Sequence, residues 1–191
     1  AGVFGLEPDG SYGPDTEPGM ELHGKYVMLG EGVRGSLTKE VLAKYDLRYV
    51  LIGALAARLQ GFPRLTADAD ITPAIDPQNL ERLANALREL DAKVFTEGVP
   101  EGLNFDCTAR TLGRAGRWNL ITSAGRLDLV FVPAGTEGYA DLVRDAVDFE
   151  VFGIELKSAS LEDIIRSKAA SDRPQDRQDV LVMQEMLRRR D

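Results

Sequence analysis

Cysteine and histidine are nearly missing from this chain of 191 residues, which has one of each, Cys107 and His23. A single cysteine excludes an internal disulfide, and the two counts together exclude zinc sites built from several thiolates or imidazoles. Histidine-based triads and dyads are disfavoured as well, because His23 falls in a Gly- and Pro-rich stretch that reads as irregular. Any metal must therefore be held by oxygen. Long apolar runs are lacking too, and nothing approaches the roughly 18 residues of a membrane-spanning helix. With no secretory or lipidation motif either, the expectation is a cytoplasmic protein without a membrane partner.

What the chain has in excess is negative charge, 31 Asp and Glu against 23 Lys and Arg, for a net charge of −8. Such a balance argues against a protein that coats nucleic acid indiscriminately. It leaves room for local RNA contact, because Arg110, Arg114, Arg117 and Arg126 crowd one stretch and Arg188, Arg189 and Arg190 another. Each of these arginines fits a solvated surface residue equally well. With 43% hydrophobic residues the chain can bury a core as one domain.

Residues 1–35 are rich in Gly, Pro and acids and read as a weakly structured arm. The expected core runs over 36–158 and a C-terminal helical segment over 159–191. A short helix is expected from Ser36 to Tyr45, then a buried strand from Arg48 to Ile52 that ends at Gly53, and a helix from Ala54 to Gln60. A strand, a glycine turn and a helix start leave main-chain N–H groups free for an anion. A short strand is expected at Asp70 to Thr72. Asp76-Pro77 opens an amphipathic helix to Leu90 with Leu80, Leu83, Ala84 and Leu87 on one stripe. Lys93 to Thr96 reads as a strand, Gly98 to Asp106 as a loop, and Trp118 to Val132 as a hairpin turning at Ala124-Gly125. A second hairpin is expected over Val147 to Lys157, turning near Gly153. Ser160 and Asp163 form a capping-box-like start to a helix reaching Ala170, and Pro174 opens a last helix. The fold class is α+β, a small mixed sheet flanked by helices.

Three aspartates stand out in this frame. Asp68 and Asp70 are two apart in an extended segment and so point to one side. Asp128 interrupts the apolar run Leu127 to Val132, on the face opposite Leu127, Leu129 and Phe131. An Asp-x-Asp pair alone also fits solvated loop residues or helix caps. An aspartate inside so apolar a strand is costlier to bury, and carboxylates that converge repel one another unless something compensates them. Hard divalent cations with oxygen ligands are the usual compensation, so the three read as a magnesium site for phosphate chemistry.

The segment Tyr49-Val50-Leu51-Ile52-Gly53-Ala54, followed by Gly61-Phe62-Pro63-Arg64-Leu65-Thr66-Ala67-Asp68-Ala69-Asp70, resembles the opening motif of the nucleotidyltransferase superfamily. In that motif Gly-Gly or Gly-Ser at a strand-to-helix turn precedes Gly-x-x-Arg-x-Thr-x-Asp-x-Asp. Asp128 is similar to the family's third carboxylate. Lys168 through Arg173-Pro174-Gln175-Asp176-Arg177-Gln178-Asp179 resembles the Lys…Arg-Pro-x-Asp-x-x-Asp segment of the AbiEii and MenT-type toxin branch. Ala54 departs from the pattern, since it brings no hydroxyl to a phosphate.

The resemblance implies an enzyme that moves a nucleoside monophosphate from an NTP to an acceptor hydroxyl. Asp68, Asp70 and Asp128 would hold Mg²⁺ and serve the chemistry, with Lys168 on the triphosphate. Gly53, Ala54, Arg64, Thr66 and Arg173 would bind the nucleotide, and Asp176 and Asp179 would support from behind. The branch implies the 3′ end of tRNA as acceptor, a toxin's role, and an antitoxin partner. RNA would then contact Arg110, Arg114, Arg117 and Arg126. The wider superfamily keeps antibiotics and proteins open as acceptors, and Ala54 keeps open a catalytically silent binding module.

Overall fold

The computed structural model describes residues 40–64, 66, 68–151 and 153–189. The arm expected over 1–35 with its His23, the start of the helix expected at Ser36, and Arg190 lie outside these residues. Residues 40–44 are helical, in agreement with the rest of that short helix.

Eight strands form one sheet. They are β1 (Tyr49–Ile52), β2 (Asp68–Pro73), β3 (Lys93–Thr96), β4 (Val99–Leu103), β5 (Arg117–Thr122), β6 (Gly125–Val130), β7 (Val147–Val151) and β8 (Ile154–Ser158). Their order across the sheet is β4-β3-β5-β6-β2-β1-β8-β7. The pairs β2/β6 and β1/β8 are parallel and the others antiparallel, so the sheet is mixed as expected. Between and after the strands lie α1 (Gly53–Leu59), α2 (Pro77–Glu89), α3 (Ala109–Leu112), α4 (Tyr139–Leu142), α5 (Leu161–Ser171) and α6 (Pro174–Arg188).

Alternation along the central strands decides which face is core. Ile71 on β2, Leu127 and Leu129 on β6, and Leu120 on β5 are essentially sealed from water. Their neighbours Asp68, Asp70 and Asp128 therefore share the other face. The stripe Leu80, Leu83, Ala84 and Leu87 of α2 joins the same core. At that helix's start Asp76 caps the Asn79 N–H, Pro77 occupies the first turn, and the fully buried Asn79 side chain is bonded to the main chain of Arg48 and Ala74. This braces the entry to β1 against α2.

One expectation fails here. The loop expected over Gly98 to Asp106 contains β4, an edge strand paired with β3. Pro100 and Gly102 hid it, since both residues are depleted in strands, yet an edge tolerates a missing N–H. Gly102 has φ +76°, and a Cβ there would run into Lys93 and Ile121, so only glycine lets the strand lie so close to its neighbours. Two one-turn helices, α3 and α4, were also not expected.

Candidate active site

The parallel register of β2 and β6 sets Asp70 beside Asp128 and Asp68 beside Arg126. On the other flank β1 pairs Ile52 with Asp70, and the chain turns at Gly53 into α1. Gly53 has φ +69°, and a Cβ at this position would collide with the Asp70 carboxylate. The turn glycine is thus required twice, by its left-handed backbone and by the closeness of the main chain to a carboxylate. Gly53→Ala is expected to lower stability by about 1–3 kcal/mol through strain, and to displace Asp70. Thermal melting together with the nucleotide assay below checks both; an alanine variant with unchanged melting and turnover would refute the role given to the turn.

Burial, then the neighbouring Asp128 and Asp68 charges, push the Asp70 carboxyl up to about 7. The Asp128 carboxyl is also raised, by burial first, with Asp68 adding and Arg126 opposing. Its Oδ1 is buried without a hydrogen-bond partner. Asp70, strongly raised, and Asp68 on the same face of β2 form an oxygen donor pair that suits a hard cation, with the orphaned Asp128 oxygen beside Asp70. Among the described residues no three carboxylate, imidazole or thiolate groups stand ready to enclose an ion unaided.

The carboxylates open into a cleft of about 360 Å³. Gly53, Ala54, Arg64, Thr66, Lys168 and Arg173 all line it, so every residue expected to bind nucleotide lies at the same place as the aspartates. The α1 helix starts at Ile52 and Gly53 with no side-chain cap, although with seven residues its dipole is small. Thr66 directs its hydroxyl to the main chain of Asp68 at 3.3 Å.

The far wall is built by α5 and α6, which reverse at Asp172 in a left-handed conformation. Ser160 caps α5 by accepting from the Asp163 N–H, as the capping-box pattern anticipates. Lys168 Nζ donates to Asp176 Oδ1 at 2.6 Å and to Asp179 Oδ2 at 2.9 Å. Arg64 Nη1 reaches the same Asp179 oxygen at 2.7 Å, and Ser171 Oγ donates to Asp176 Oδ2 at 2.8 Å. Asp176 and Asp179 are both buried and hold Lys168 at the cleft. Burial opposes ionisation of Asp176, but its bonds from Lys168 and Ser171 keep its carboxyl below the usual range.

The four candidate RNA-contacting arginines divide. Arg117 lines the cleft, and Arg126 approaches Asp68 at 3.6 Å. Arg110 on α3 and Arg114 just after it are exposed and make no part of the cleft wall. Two residues were not anticipated. Ser171 lies one helical turn beyond Lys168, a spacing that could have flagged it. Phe95 carries the Arg126 guanidinium over its ring at 3.8 Å, and only the strand register connects it to the site.

No family model matches the chain. Among solved structures, a Thermotoga maritima protein assigned as a nucleotidyltransferase superposes with a TM-score of 0.50 at 17% identity, covering 87% of this chain and 99% of that one. A nucleotidyltransferase-like antigenic protein of Paracoccidioides brasiliensis gives 0.46 at 15% identity over 81% and 76% of the two chains. By the first of these, the fold is similar to that of a nucleotidyltransferase. Short stretches also match electron transfer flavoprotein-ubiquinone oxidoreductases, 39% identical over 45 residues in Arabidopsis thaliana and 41% over 44 in Oryza sativa. These matches cover 24% and 23% of this chain, which spans only 7% and 8% of those proteins. Among the described residues no helix is long and apolar enough to cross a membrane.

Proposed function

We propose that this protein is a magnesium-dependent nucleotidyltransferase that moves a nucleoside monophosphate from an NTP to an acceptor hydroxyl. One observation supports this above the others: Asp68, Asp70 and Asp128 share a sheet face at one cleft with the turn at Gly53 and with Lys168. Asp68 and Asp70 would hold Mg²⁺, which when bound neutralises charge on the entering and leaving oxygens. Lys168, Arg64 and Arg173 bind the β- and γ-phosphates, and the main chain at Gly53 and Ala54 supplies N–H donors in place of the missing hydroxyl. The acceptor oxygen bonds to the α-phosphorus, the bond to pyrophosphate breaks, and Asp128 takes the acceptor's proton. A raised carboxyl with an unpartnered oxygen is suited to that last step.

For the acceptor we propose the 3′ end of an RNA, tRNA being the one implied by the resemblance to AbiEii and MenT-type proteins. A toxin's role with a cognate antitoxin belongs to the same proposal. Each radiolabelled NTP, incubated with Mg²⁺ and total RNA or cell protein, should label RNA that ribonuclease destroys. Labelled polypeptide would point to protein adenylylation, and nucleotide consumed with an aminoglycoside alone to antibiotic modification. Asp128→Ala should slow turnover by on the order of 10²–10⁴ with little effect on the nucleotide KM, the scale of a lost general base. Full turnover in that variant would remove Asp128 from the chemistry.

A further inference from the structure

The sheet does not end at the carboxylates. Beyond β6 it continues through β5 to β3 and β4, and the face carrying Asp68 and Asp128 continues with it. Register places Asn119 beside Asp128, Ile121 beside Arg126, and Lys93 beside Ile121. Phe95, two residues on from Lys93, shares this face, as does Arg117. Arg117 and Asn119 are exposed. The Arg126 guanidinium spans from β6 to the Phe95 ring and stands 3.6 Å from Asp68. The result is an open strip with two arginines, a lysine, an amide, an isoleucine and one aromatic ring, starting at the aspartates.

Direction follows from the chemistry. Lys168 on α5 and Arg64, which follows α1, meet at Asp179 on the α5 and α6 wall of the cleft, across from β5. The pyrophosphate leaves toward those cations. Attacking and leaving oxygens lie roughly in line at the transferred phosphorus, so the acceptor enters from the β6 and β5 side. Resting on the transferase reading above, we infer that this strip seats the single-stranded end of a nucleic-acid acceptor, its terminal base stacked on the Phe95 and Arg126 pair and its phosphates against Arg117 and Arg126. Cationic side chains beside an aromatic ring on a sheet face make the usual stacking platform for unpaired nucleotides, and the Arg117 and Arg126 guanidiniums offer phosphates local cationic contacts in spite of the protein's net charge.

The test is equilibrium binding of an unstructured, mixed-sequence RNA 12-mer with a free 3′ hydroxyl, followed by fluorescence anisotropy. In parallel, the rise in melting temperature with Mg²⁺ and NTP is measured on the same proteins. Phe95→Leu, which keeps apolar bulk, and Phe95→Ala should each weaken RNA binding roughly tenfold, about the loss of one base stack. Phe95→Trp should retain it. All three should keep the wild-type rise with Mg²⁺ and NTP. Arg117→Ala should lower the slope of log affinity against log salt by up to about one. Wild-type RNA affinity in Phe95→Leu, with the nucleotide response intact, overturns the inference, and so does a labelled product that is a polypeptide. Failure of the transferase reading is distinct, since it removes the Mg²⁺ and NTP response from the wild-type protein itself.

Discussion

Asp70→Asn is expected to abolish nucleotide transfer and yet to melt at a higher temperature than the wild type at pH 8. The folded carboxyl sits at about 7 against an ordinary 3.8, because burial and then the Asp128 and Asp68 charges disfavour its ionised form. The folded state therefore holds a proton that the unfolded chain has released across that window. Its contribution to stability is complete below about pH 4 and is lost as pH rises through 7. At about 1.4 kcal/mol per pKa unit the loss amounts to at most roughly 4 kcal/mol by pH 8. Asparagine has nearly the same shape, no charge to lose, and an amide that can donate to the neighbouring carboxylates. The variant's advantage should shrink as pH falls toward 5, where wild-type Asp70 is already protonated. Melting curves at pH 5 and pH 8 decide the matter. Equal melting of the two proteins at pH 8, or near wild-type turnover under saturating Mg²⁺, would refute the assignment. Mg²⁺ with NTP should also raise the wild-type melting temperature, and the variant should lose most of that rise.

Lys168→Ala should show the opposite combination, losing stability as well as activity. The ammonium is the shared partner of Asp176 and Asp179, whose side chains are 7% and 10% exposed, and it is itself 15% exposed. Removing one member of a buried ion cluster leaves the others uncompensated, at about 3–5 kcal/mol. Arg64 still serves Asp179 and Ser171 still serves Asp176, which places the expected loss toward the lower end. Nucleotide use should weaken separately by on the order of 1.5–3 kcal/mol, the scale of a lost charge-assisted contact. The two effects part in the triple variant Lys168→Met, Asp176→Asn, Asp179→Asn, which should recover much of the stability and none of the activity. A wild-type nucleotide KM in Lys168→Ala would return this lysine to a purely structural part.

Local rules make the carboxylate face of the sheet readable in the sequence. Parity along an extended segment put Asp68 and Asp70 together, and Asp128 among Leu127 and Leu129 fixed which side of β6 must face away from the core. Caps did the same for α2 and α5, whose starts at Asp76-Pro77 and Ser160 follow from chemistry within four residues. What escaped depends on distance along the chain or on elements too short to show a period. The helices α3 and α4 span four residues each, about one turn. Strand β4 was masked by Pro100 and Gly102. The tie from Arg64 to Asp179 joins residues 115 apart in sequence, and Phe95 acquires its meaning only through the order β3-β5-β6. Sequence spacing singled out the candidate groups, whereas their long-range partners within the chain required the topology.

The two parallel pairings carry a consequence for how the chain comes to life at the ribosome. Strand β2 cannot complete its ladder until β6 has emerged, and β1 must wait for β8, which begins at Ile154. Long-range pairings of this kind form late, because loop closure is costly before any contact repays it. The cationic wall comes later still, since Lys168 finds its counter-charges only once Asp176 and Asp179 are made. Asp70 and Asp128 are thus brought together only when β6 joins β2, and the Lys168 cluster that faces them forms in a separate, later event.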